Sequence, residues 1–213
     1  YKWSKKVFPL LKKYSVSWAS GYFIFQIFSP LSMIYFGAEF TGKIGYSIAI
    51  ITAIFTLSLV PITSKIPKIN MLISESKIIE AKGVFKSRSA VCVILFAIGG
   101  VAFIIIYNYV FPYFSIQDRV IELPQLIILY FSWFFQVFIA CAAVYMRAFK
   151  EEPLLKISVC SAFFIFTTTY VSVVILGQNF LFLGFFISQL VFIPFVFLKL
   201  KSYWEKGGFS EKK

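Results

Sequence analysis

Six apolar runs that contain no Lys, Arg, Asp or Glu constrain this chain more than any other feature. They cover residues 16–36, 44–62, 90–109, 125–146, 157–176 and 181–198. A helix rising 1.5 Å per residue needs about 20 residues to cross the hydrocarbon layer of a bilayer, so each run is long enough for one pass. The pattern predicts an all-α, polytopic membrane protein: a single lobe of six transmembrane helices over residues 1–213.

The charges sort by gap. Of the 21 Lys and Arg residues, 19 fall in the segment before the first run, the basic loop 63–89, the gap 147–156 and the tail from Lys199. The alternate gaps hold Lys43 and Arg119. Basic residues accumulate in cytoplasmic loops, so both termini are expected in the cytoplasm. The net charge of +12 is spread along that face, which suits anionic lipid headgroups and argues against nucleic acid as a partner.

Composition narrows the chemistry. A chain that is 60% hydrophobic and 14% charged needs lipid to cover much of its surface. It has no His and a single Asp, Asp118, so metal ligation and proton-transfer catalysis lack most of their usual groups; no metal site, cofactor or enzymatic activity is expected. Cys92, Cys141 and Cys160 lie inside runs, are odd in number and are read as packing residues. The loop 63–89 carries Met71, Ile78 and Phe85 seven apart among lysines and reads as one surface-lying amphipathic helix. GAEFTGK, with Gly37 and Gly42, reads as a short outer connection.

Polar side chains recur at helical spacing in three runs. Trp18, Tyr22, Gln26 and Ser29 form one stripe, followed by Pro30. Trp133 and Gln136 share a face of the fourth run, and Ser161, Thr168 and Ser172 a face of the fifth. Such stripes either line a translocation cavity or bond neighbouring helices together. Gly99 and Gly100 in the third run mark either a hinge or close helix contact. Charge for an anionic substrate is available only at the cytoplasmic rim, from Lys12, Lys13, Arg88, Arg147 and Lys150, whose other role is to fix topology.

SWASGYFIFQIFSPLSMIYFGAEFTGKIGYS at residues 17–47, PKINMLISESKIIEAKGVFKSRS at 67–89 and YMRAFKEEP at 145–153 carry a family likeness. Together they resemble the second half of polysaccharide and O-antigen flippases of the multidrug/oligosaccharidyl-lipid/polysaccharide exporter superfamily. Phe149 stands where that family's pattern has His. The resemblance implies one lobe of a two-lobe transporter in the bacterial inner membrane, moving an undecaprenyl-pyrophosphate-linked oligosaccharide by alternating access. It also implies a partner bundle, either an amino-terminal six-helix half or a second copy. Two other classes stand beside it: a membrane-embedded glycosyltransferase or polymerase subunit using Asp118, Arg119 and Glu122, and a non-catalytic scaffold.

Overall fold

The computed structural model describes residues 3–114, 116–149 and 152–210. Seven α-helices follow one another: α1 (Trp3–Gln26), α2 (Phe28–Thr63), α3 (Ile66–Ser74), α4 (Ile78–Ile105), α5 (Leu123–Arg147), α6 (Leu155–Leu176) and α7 (Leu183–Ser210). No strand occurs among the described residues. Among the described residues, five stretches are long and apolar enough to cross a membrane: Tyr14–Ser74, Ile78–Val110, Leu123–Arg147, Leu155–Leu176 and Gln178–Glu205. The last four contain the third to sixth predicted runs. The first fuses the other two runs into 61 residues, about 90 Å if straight and some three times the hydrocarbon thickness.

That stretch is not straight, and two residues explain why. Pro30 has no N–H and its ring collides with the carbonyl four positions back, so α1 ends at Gln26 and a turn at Ile27 restarts the helix. Gly37 then adopts φ 82°, ψ −180°, a conformation open almost only to glycine. Around it the Ser32 and Thr41 hydroxyls lie 2.9 Å apart, although nine residues of unbroken helix would separate them by about 13.5 Å. Thr41 also donates to the Gly37 carbonyl at 2.8 Å, satisfying an acceptor at the bend. The chain turns back here. Phe25 and Phe55 rest on the same Trp133 ring at 5.0 and 4.9 Å, so their centroids stand no more than 9.9 Å apart. GAEFTGK is therefore a one-residue bend inside helix and not a loop; Glu39 and Lys43 pair along the helix at 3.2 Å.

The loop 63–89 also departs from expectation. It holds α3 and the opening turns of α4, separated by Ser76 at φ 61°. The Lys77 amide donates to the Leu72 carbonyl at 2.8 Å and the Ser76 amide to that of Ile73 at 3.1 Å, the pattern of a Schellman stop with serine in the place glycine usually takes. Ile69, Leu72, Ile78 and Phe85 point into the lobe while Met71 and Ile79 stay outside, so one continuous surface helix is replaced by two half-buried ones.

α1 packs along α6, α6 on α7, α7 on α5, and α5 on both α2 and α4. Large apolar side chains face outward along the lobe, among them Phe163 at 71% and Ile175 at 72% exposure. An aqueous surface seldom tolerates such an array, whereas lipid is an equivalent solvent for it. Small residues set the closest helix approaches. Tyr130 lies flat over Gly100, its hydroxyl donating to the Phe96 carbonyl at 2.8 Å, and Gly99 faces Ile54. α4 runs unbroken through both glycines, which act in close contact and not as a hinge. Cys92 and Cys141 are buried between α4 and α5, but Cys160 is exposed, so the packing role fails for it.

Candidate functional site

The bend at Gly37 opens a V between α1 with the first turns of α2 and the rest of α2. One arm presents Phe25, Gln26 and Ser29; the other presents Gly45, Ile48, Ala49, Thr52, Ala53, Thr56 and Leu57, around a cleft of about 760 Å³. Thr52 and Thr56 were not among the residues read from the sequence, though their spacing of four was the available signal. A second groove of about 360 Å³ continues from it, lined by Trp18, Gly21, Tyr22, Phe25, Gln26 and Arg147. Phe25 and Gln26 belong to both.

This placement separates the two roles open to the first stripe. Trp18 is 76% and Tyr22 66% exposed, so neither bonds helices together within this lobe. Each offers an aromatic face with a polar tip to whatever occupies the groove. Trp133 takes a different role: it is 4% exposed, stacked on Phe25 and in T-shaped contact with Phe55, and forms the support behind the cleft.

Arg147 is placed by its helix end and by a carboxylate. It occupies the last turn of α5, where the helix dipole favours a cation. Its Nε donates to Glu152 Oε1 at 2.7 Å. The Glu152 side chain is only 1% exposed against 41% for Arg147, so the acid is buried and directs the guanidinium outward. Glu152 is not among the site residues read from the sequence, where it enters only within the stretch YMRAFKEEP. Phe149, in the same turn, packs against Tyr145 and Tyr203 at 5.6 and 5.3 Å and does not face the groove.

The remaining stripe residues are gathered elsewhere. Gln136 and Ser161 line a small interior space of about 60 Å³ with Ser188 and Gln189, and Gln189 Nε2 donates to Gln136 Oε1 at 3.1 Å. Ser161 donates to the Ser158 carbonyl at 3.0 Å and Thr168 to the Phe164 carbonyl at 2.7 Å. Thr168 lies against Gly184, and Ser172 is buried. The Ser161 and Thr168 hydroxyls bond back to carbonyls of α6 itself, and none of these three residues lines the cleft. Among the rim cations, Lys12 is exposed and Arg88 half-buried. The side chain of Lys13 and the whole of Lys150 lie outside the described residues. Asp118, Arg119 and Glu122 are exposed on the connection before α5 and line none of these spaces.

No family model, curated protein or solved structure matches this chain.

Proposed function

We propose that the chain is one lobe of a flippase that carries a lipid-linked oligosaccharide across the bacterial inner membrane during assembly of O-antigen or another surface polysaccharide. The first apolar stretch makes two passes joined at Gly37, bringing the total to six, with both termini and the loop 63–89 in the cytoplasm.

One observation carries the reading: Arg147, aimed by a buried Glu152, opens onto the same groove as Trp18, Tyr22 and Gln26. A guanidinium pairs with phosphate oxygens in a fixed geometry. Exposed aromatic faces and an amide beside it suit a ring bearing hydroxyls on one edge and C–H groups on its face. A pyrophosphate-linked sugar presents both kinds of surface next to each other. The groove lies open along its length, as expected if a second bundle, an amino-terminal half or another copy, closes it and rocks against it.

The test is transport of a lipid-linked oligosaccharide by the complete transporter in vesicles. Arg147→Gln and Trp18→Ala are each expected to lower the initial rate at least tenfold at equal protein content, while Lys12→Gln leaves it within twofold. Wild-type rates in both groove variants would refute the assignment.

A further inference from the structure

A third groove, which shares no lining residue with the cleft or the groove beside it, has features that the transport reading does not use. It runs between α4, α5 and α7, with a volume of about 440 Å³, inside the roughly 300–1,000 Å³ of small-molecule sites. Val93, Ile94, Phe138, Ala142, Phe197 and Leu200 wall its length. Ile94 and Phe197 are exposed on the outer surface, so the groove opens sideways to lipid.

One end of this apolar channel is polar and cationic. Lys86 Nζ stands 5.2 Å from the centre of the Trp204 ring. Lys82 Nζ donates to the Trp204 backbone carbonyl at 2.6 Å, which ties α7 to α4. The Trp204 Nε1–H is nevertheless buried without an acceptor. The Ser89 hydroxyl, at the same end, is buried beside the Cys141 thiol. A buried indole N–H left unpaired is uncommon in a native structure and calls for a partner.

We infer that this groove is a binding site for an anionic phospholipid, with one acyl chain along the apolar walls and its phosphate at Lys86, Trp204 Nε1 and Ser89. An ammonium, an unpaired indole N–H and a serine hydroxyl at the end of a hydrocarbon-lined channel complement a negative head joined to an apolar tail. A zwitterionic lipid fills the channel equally well but brings a choline cation toward Lys86. The site therefore selects on charge. It depends on the chain residing in a membrane and is independent of whether that chain moves a sugar.

The purified full chain is titrated with an equimolar mixture of phosphatidylglycerol and phosphatidylcholine carrying the same acyl chains, and bound lipids are counted by native mass spectrometry. One phosphatidylglycerol retained at least fivefold over phosphatidylcholine is expected. Lys86→Gln, a change at an exposed side chain, should bring the preference near unity, and so should Trp204→Phe. Ala90→Phe, at the exposed edge of the groove, should reduce retention of both lipids. Equal retention of the two lipids by the wild type overturns the inference, as does an undiminished preference in a Lys86→Gln protein that melts at the wild-type temperature.

Discussion

Among the described glycines, Gly184 is the one whose Cβ would meet the backbone of a neighbouring helix. A Cβ there would stand 2.6 Å from the Thr169 amide nitrogen and 2.8 Å from both the carbonyl carbon and Oγ1 of Thr168. Ordinary contacts of this kind begin near 3.4 Å, so α6 and α7 must part by the better part of an ångström. Two of the three atoms are backbone and cannot rotate aside. Overpacking of a tight contact costs about 1–3 kcal/mol, and a backbone obstacle places Gly184→Ala in the upper part of that range. Alanine's helix propensity returns less than about 1 kcal/mol, because the residue lies in the first turn of α7. The net loss is about 2 kcal/mol, which for a chain of this length lowers Tm by roughly 4–8 °C. Thermal unfolding in detergent, followed by circular dichroism, measures it. Gly83→Ala is the matched control: nothing lies within 4 Å of its Cβ, and the substitution in α4 should be neutral or raise Tm slightly. A Gly184→Ala protein melting with or above wild type would refute the close approach of α6 and α7.

Ser76→Gly relieves a left-handed serine at the end of α3 and should stabilise the protein by about 1 kcal/mol, seen as a higher midpoint in the same melt; a lower midpoint would count against that backbone conformation. Gln189→Leu strands the Gln136 carbonyl oxygen inside the lobe and should cost about 0.6–1.7 kcal/mol, with the Gln136→Leu/Gln189→Leu double variant recovering most of it. Additive losses in that cycle would mean the two amides do not bond. On the transport reading, Glu152→Leu should reduce transport while leaving bulk lipid association unchanged, because it removes the acceptor that aims the guanidinium without removing the cation. Unaltered transport would remove Glu152 from the site.

What the sequence made legible follows from which interactions are local. α5, at Leu123–Arg147, lies within two residues of the run 125–146 at each end, because apolar content and flanking charge alone bound a helix of that kind. The stop at Ser76 was not legible, since a left-handed residue usually announces itself as glycine; the heptad spacing of Met71, Ile78 and Phe85 ran across it unbroken. The bend at Gly37 was visible as a glycine but not as a single-residue turn, and the Glu39–Lys43 pair that keeps its far side helical looked like loop polarity. In the site, Trp18, Tyr22 and Gln26, which share a face by their spacing, line one groove. Spacing could not say that Trp133 would turn inward beneath them, that Gln136 would find Gln189 fifty-three residues away, or that Glu152 would be buried against Arg147. Those pairings depend on which helices become neighbours.

The cleft, and any function assigned to it, depends on the chain doubling back at Gly37. Spin labels at Gln26 and Thr56, which line the same cleft from opposite arms, measure this directly by double electron–electron resonance in lipid nanodiscs. A single distance far shorter than the roughly 45 Å spanned by thirty residues of unbroken helix is the result expected. A distribution centred near that length would contradict the bend and remove the cleft with it.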